Sequence, residues 1–157
     1  METIRTTEIG QHVGQRVQLR GWVHNLRLLG GVNFLVLRDG WGTAQAVTQD
    51  EAALAPLTQA GLGQESVIAL EGLVVAEPQA PGGVELHDLT VTVVTPVSEP
   101  PPIPINKKQI KAALPTLLDH AVVANRHPAR RAVFRLAAGV MAGFRATLNA
   151  RGFTEIQ

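Results

Sequence analysis

Phe34, Arg27, Arg38, Gln45 and Glu85 are the residues of this 157-residue chain whose types suit one shared chemistry, the recognition of a nucleobase. Phe34 lies in "GGVNFLVLRDGWGTAQAV", residues 30–47, which has the pattern of a two-stranded hairpin. Counting by twos, Phe34 shares a face with Val36 and Arg38, and Asn33, Leu35 and Leu37 take the other. An arginine is expected to reach water, so Phe34 is expected on the same partly open side. An aromatic placed there can stack on a base, worth about 1–3 kcal/mol. Arg27 and Arg38 can hold phosphate or read a base edge, and Gln45 and Glu85 can hydrogen-bond base edges. Each also has a plain structural reading. Phe34 can cap a barrel core, Arg38 and Asp39 can form a strand-end charge pair, and Glu85 can be a solvated rim acid. Spacing alone leaves both readings open.

Other chemistries have less support. The histidines His12, His24, His87, His120 and His127 show no HxxxH or HxxE spacing, and there is no cysteine, so no metal site and no disulfide is expected. No GxSxG motif occurs, and "GLGQES" lacks the Lys-Ser/Thr of a phosphate-binding loop. No catalytic residue is assigned.

The elements that must position the base-reading residues are strands. In "RVQLRGWVHNLRLL", Val17, Leu19, Gly21 and Val23 alternate with Gln18, Arg20, Trp22 and His24, the period of a half-buried strand. Gly21 permits the sharp bend that closes a small barrel, and Gly30-Gly31 suits a hairpin turn. Strands are predicted at 33–39 and 43–48. "QDEAALAPLTQAGLG" comes next as a short helix with Pro56 as a kink, then "SVIALEGLVVAE" as a strand with a bulge at Gly72. A loop and a fifth strand come from "PQAPGGVELHDLTVTVV". Three strands, a helix and two strands are the order of an OB-fold, a five-stranded Greek-key barrel that binds oligonucleotides across strands 2–3. A small sandwich or half-open barrel shares that order.

Boundaries are predicted at 1–97 for the OB-fold, 98–127 for a Pro-rich hinge and 128–157 for the truncated start of a second domain. Pro96, Pro100, Pro101, Pro102 and Pro104 make the hinge stiff. Val133, Leu136, Val140, Met141, Phe144 and Leu148 recur at helical spacing, predicting a long helix over 128–151 with Pro128 in its first turn and Gly152 as its cap. "FTEIQ" is expected to begin a strand. The fold class is therefore mainly β, with a long C-terminal helix.

Charge separates the two parts. Residues 1–105 carry five arginines, no lysine and eleven acids, a net of −6, while residues 106–157 carry nine basic residues and two acids, a net of +7. An acidic average argues against indiscriminate nucleic-acid binding, which needs a broad basic surface. It permits a small selective site. No apolar run approaches the about 18 residues of a membrane span, and "METIRTTEIG" lacks the layout of a secretory signal, so a cytoplasmic location is expected.

The quoted hairpin, extended to "GWVHNLRLLGGVNFLVLRDGWGTAQAV", resembles the anticodon-binding OB domain of aspartyl-tRNA synthetases, in the class IIb group with the asparaginyl and lysyl enzymes. "RAVFRLAAGVMAGFRATLNARGFTEIQ" resembles the opening of their catalytic domain. The resemblance implies that Phe34 stacks on the central anticodon uracil, that Gln45 and Glu85 hydrogen-bond anticodon bases, and that Arg27 contacts the anticodon loop. Phosphate attraction is then expected from Lys107, Lys108 and Lys111. The long helix and following strand correspond to motif 1, a homodimer element. Motifs 2 and 3, which handle ATP and Mg in the full-length enzyme, are expected beyond residue 157, so this chain alone should be inactive and holds no cofactor.

Two positions bear on specificity. Enzymes of the archaeal type restricted to tRNA(Asp) typically carry Trp and Lys where this chain has His24 and Pro81, and those that also aspartylate tRNA(Asn) tend to carry His and Pro. The resemblance therefore implies a non-discriminating enzyme whose partners are tRNA(Asp) and tRNA(Asn). A departure lies before the long helix, where an Arg-rich "LDLRRP"-like stretch is replaced by "LLDHAVVANRHP". The alternatives are an asparaginyl-tRNA synthetase fragment, a free-standing OB-fold protein for single strands, and a structural dimerisation fragment.

Overall fold

Period-2 patterning closes on itself in three dimensions. The computed structural model describes residues 1–59 and 63–156. Its strands are β1 (Glu2–Thr3), β2 (Arg16–Leu28), β3 (Asn33–Arg38), β4 (Thr43–Thr48), β5 (Val67–Ala76) and β6 (Val84–Thr95). Its helices are α1 (Ala55–Thr58), α2 (Leu114–Asp119), α3 (Ala121–Ala124) and α4 (Pro128–Ala150). Two units are compact on their own, Met1–Pro101 and Pro102–Gln157.

In the first unit β2 pairs antiparallel with both β3 and β5, β3 with β4, and β5 with β6, while β4 meets β6 in parallel at Ala46 and Leu86. The ring β2-β3-β4-β6-β5 is thereby closed, and the two-residue β1 is an extra parallel strand beside β2. This is the expected five-stranded OB-type barrel. Val17, Leu19, Leu35, Leu37, Ile68, Leu70 and Leu86 fill it and are fully buried, each stabilising the fold by about 1.5–3 kcal/mol.

Two glycines let strands approach. A Cβ on Gly21 would lie 2.2 Å from the Arg38 carbonyl oxygen, and one on Gly72 would lie 2.8 Å from that of His87. Glu71 pairs with Thr90 and Leu73 with His87, so the register slips opposite Gly72 with the extra residue on β6, where Asp88 has φ +48°, and not at Gly72 as expected. A bulge in β2 was not expected either. Val23 pairs with Leu37 and Asn25 with Val36, so His24 is the extra residue. A bulge reverses the inward–outward phase of the residues after it. It turns Leu26 toward the core and Arg27 out beside Phe34.

The segment between β4 and β5 departs from a single kinked helix. Asp50 Oδ1 accepts from the Ala52 amide and caps a 3₁₀ turn over Glu51–Leu54, after which α1 makes one turn. Pro56 falls in that first turn, where its missing N–H costs nothing, so it helps start the helix. Leu54 and Leu57 from this segment join the barrel core. The predicted helix also covered residues 60–62, which lie outside the described residues.

The second unit has a small core of Ile103, Ile105 and Ala124, with Ile110, Leu117 and Val123 against it. Residues expected as part of a stiff hinge thus carry packing of their own. His127 caps α4: its Nδ1 accepts from the Ala129 amide at 3.2 Å and its Nε2 donates to the Lys107 carbonyl at 2.9 Å. The helix spans 128–150, as the apolar spacing predicts. Gly152, at φ +83°, ends it with amides of Gly152 and Phe153 returned to Asn149 and Leu148. The expected strand does not form over 153–156, and Gln157 lies outside the described residues. Glu155 instead pairs with Arg145 at 2.9 Å.

Candidate nucleic-acid interface

The outward face of β2, β3, β4 and β6 gathers the sequence-predicted residues into three couples. Arg27 stands opposite Phe34 in the β2–β3 ladder, its guanidinium 5.2 Å from the ring centroid. Arg27 is exposed and Phe34 half-buried. Leu35 on the opposite side of β3 is fully buried, so the sequence count placed Phe34 correctly. A ring with one face backed by a cation and part of its surface open has the geometry on which a planar group can stack.

Gln45 and Glu85 form the second couple. Gln45 Nε2 donates to Glu85 Oε2 at 2.9 Å. The carboxylate is not the solvated rim acid of the plain reading, because Glu85 is only 6% exposed. His87, two residues further along β6, donates its Nε2–H to Glu85 Oε1 at 2.8 Å. Both carboxylate oxygens are therefore aligned by neighbours, and each retains lone-pair capacity for a base N–H. An open cleft beside them is lined by Val47, Gln49, Asp50, His87 and Asp88. His87 escaped the sequence reading, although its spacing from Glu85 puts it on the same face of β6.

Arg38 corrects an expectation. It does not reach water; it is 3% exposed. Its Nη2 donates to Glu65 Oε2 at 2.8 Å, its Nη1 donates to His24 Nδ1 at 3.1 Å, and its guanidinium lies 5.4 Å from the Trp22 ring centroid. The strand alternation held, and the buried carboxylate of Glu65 supplies what water would have. Glu65 sits at φ +75°, a conformation with no sequence signature here. Arg38 is thus a partner of His24 and not an open phosphate ligand. Nor does it pair with Asp39.

Asp39 instead anchors the start of the chain to the β3–β4 turn. Burial pushes its carboxyl up, but hydrogen bonds from the Thr6 amide, the Gly42 amide, the Thr6 hydroxyl and the Trp41 amide outweigh this and hold it below the usual carboxylate range. Trp41 in that turn is exposed, with the Arg5 guanidinium 4.4 Å from its ring centroid.

Pro81 is exposed and opens a 3₁₀ turn, Pro81–Gly83, leading directly into Val84 and Glu85. Lys107, Lys108 and Lys111 are exposed in the second unit. Among the described residues no three His, Cys, Asp or Glu side chains gather as a metal site, and no helix is long and apolar enough to cross a membrane.

Residues 17–94 match the family described as OB-fold nucleic acid binding domain, of the tRNA anticodon type. The chain is 40% identical over 96% of its length to an aspartate–tRNA(Asp/Asn) ligase of Deinococcus radiodurans, covering 33% of that protein. It is 38% identical over 95% of its length to the ligase of the same name from Thermus thermophilus, again covering 33%. The chain thus spans about a third of the length of these curated relatives. Among solved structures, asparaginyl-tRNA synthetase from Pyrococcus horikoshii superposes with a TM-score of 0.79 at 30% identity, covering 98% of this chain and 37% of that one.

Proposed function

The chain carries, at residues 17–94, the tRNA anticodon-binding OB-fold domain of the aspartyl-tRNA synthetase family, and we propose that it reads the anticodons of both tRNA(Asp) and tRNA(Asn) for a full-length aspartate–tRNA ligase. The observation that carries this reading is the Phe34 platform beside the Gln45–Glu85 couple on one outward face of the barrel. Phe34 takes the place of a stacking neighbour for one base. The buffered acceptors of Gln45 and Glu85 read N–H groups of the base edges. Specificity then comes from few contacts, which suits a barrel of net negative charge.

His24 and Pro81 are the residues assigned to tolerance at the third anticodon base. Neither is as bulky or as charged as the Trp and Lys that the resemblance associates with restriction to tRNA(Asp). Lys107, Lys108 and Lys111 supply phosphate attraction along the tRNA backbone. Aminoacylation, with its ATP and Mg, is assigned to parts of the protein outside these 157 residues, so the chain alone binds RNA without charging it. The exposed stripe of α4 is assigned to a homodimer contact in the full-length enzyme, which acts in the cytoplasm.

The test is binding of the chain to anticodon stem-loops carrying GUC, GUU or an unrelated triplet. GUC and GUU are expected within about tenfold of each other, roughly 1.4 kcal/mol, with the unrelated loop much weaker. A GUC preference beyond a hundredfold would remove the non-discriminating assignment and leave the anticodon reading. Equal binding of all three would favour a non-specific single-strand protein. An asparaginyl-tRNA synthetase remains the second reading, favoured by the Pyrococcus superposition; which amino acid the full-length protein attaches to tRNA distinguishes the two.

A further inference from the structure

We propose that the open cleft at the ends of β4 and β6, walled by His87 and Asp88, is a second base-binding subsite that takes a guanine next to the base stacked on Phe34. The inference rests on the anticodon reading above and adds to it two residues with no part in it so far.

Register puts the cleft beside Phe34. Phe34 pairs with Val47 across β3 and β4, and the Ala46–Leu86 pairing of β4 with β6 brings His87 level with Val47. Arg27, Phe34, Val47 and His87 therefore form one row across four strands on the outward face. Neighbouring strands lie about 4.8 Å apart, so His87 stands roughly 10 Å from Phe34 with Val47 between them. Val47, His87 and Asp88 all line the cleft.

The β6 bulge gives the cleft its second wall. Leu86 and Leu89 both enter the core, so the two residues between them turn outward together, which plain alternation forbids. Asp88 makes this possible at φ +48°, and its carbonyl accepts from Arg16 Nη2 at 2.8 Å. Bulges re-aim side chains; this one sets an exposed carboxylate next to a half-exposed imidazole.

Both groups are available to a ligand. His87 Nε2 is engaged by Glu85 Oε1 at 2.8 Å, while its Nδ1 and the Asp88 carboxylate have no hydrogen-bond partner among the described residues. The cleft holds about 490 Å³, room for a nucleobase. Its lining adds Gln49 and Asp50 and includes no lysine or arginine. Such a lining repels phosphate and suits an edge rich in N–H donors. Guanine presents two adjacent donors, N1–H and N2–H, which one carboxylate accepts side by side. His24, assigned to the third anticodon base, lies on β2, across β3 from the cleft. The cleft is thus left to the first base, which is G in GUC and GUU alike.

The experiment measures binding of the whole chain to GUC stem-loops whose first position is G, inosine or abasic; inosine keeps N1–H and lacks the N2 amine. Wild type is expected to bind the inosine loop about tenfold less tightly than the G loop. Asp88→Asn keeps the bulge, because asparagine accepts positive φ. It is expected to weaken the G loop and bring the G and inosine loops close together. His87→Ala should weaken both loops by a similar factor and leave the abasic loop unchanged, with the thermal transition of each variant confirming an intact barrel. An acid with no role in the cleft gives the opposite sign: removing its charge would strengthen binding of every loop alike, and that result would overturn the subsite. Equal binding of the G and inosine loops by wild type would overturn it too. So would a His87→Ala loss as large on the abasic loop, which would place His87 behind Glu85 and not in the cleft. Failure of the anticodon reading looks different, because wild type would then bind no stem-loop at all. If wild type binds GUC and weakens on Phe34→Ala while the first base makes no difference, the anticodon reading stands and the cleft assignment falls.

Discussion

The barrel and the long helix solve the problem of an apolar stripe in opposite ways. The barrel's strands bury one face of every alternation against one another and close the ring, so its core is complete within Met1–Pro101. α4 has an equally regular stripe, yet none of its 23 residues is buried and Val133, Leu136, Val140 and Phe144 stand exposed. Periodicity reports which face is apolar. It does not supply the partner. Closed strands provide their own, and a single helix cannot.

Glycine substitution separates the two regions most strongly. Gly21→Ala should destabilise the barrel by about 3 kcal/mol, because its Cβ would meet the backbone carbonyl of Arg38, which no side-chain rotation relieves. A thermal midpoint unchanged from wild type would show that the β2–β3 contact is loose.

Phe34→Ala tests whether the barrel's open face is built for binding. Affinity for a GUC stem-loop should fall by about 1–3 kcal/mol while the thermal midpoint barely moves. A large loss of stability with unchanged affinity would make Phe34 a core residue after all.

Asp39 gives the barrel an acid limb of its own. Asp39→Ala should lower stability at neutral pH by about 2 kcal/mol through lost charge-assisted hydrogen bonds. The folded pKa is depressed, so the unfolded chain binds the proton more readily. The contribution is therefore complete above the ordinary aspartate value, about 3.9, and is lost as pH falls through the folded value. Denaturation of wild type and variant should converge as the acid limb is descended; a constant difference would contradict the ionised role.

On the helix side, Leu136→Glu with Phe144→Glu should leave the barrel transition in place and reduce self-association, read by sedimentation of the whole chain. Equal monomer content before and after would remove the interface assignment. The smallest effect closes the comparison: Gly139 has open space around its Cβ position, so Gly139→Ala should stabilise the helix by about 1 kcal/mol. The substitution that breaks the barrel helps the helix.

Local rules made much of this molecule legible. Alternation in residues 16–28 and 33–38 placed Val17, Leu19, Leu35 and Leu37 inside, because strand side chains must point to opposite faces. The apolar spacing, Pro128 and Gly152 defined α4, since capping and helical period are properties of neighbouring residues. Phe34, Gln45 and Glu85 were legible as candidates for the same reason. Tertiary structure decided the rest. Whether Arg38 met water or a carboxylate depended on Glu65, twenty-seven residues away and brought in by barrel closure. The His24 bulge arose from how β2 must pair with β3 and β5 at once. Burial of Glu85 and its bond to Gln45 came from the packing of β4 on β6. A sequence states the preferences of each residue toward its neighbours along the chain; which distant charge neutralises another is settled only when the strands close.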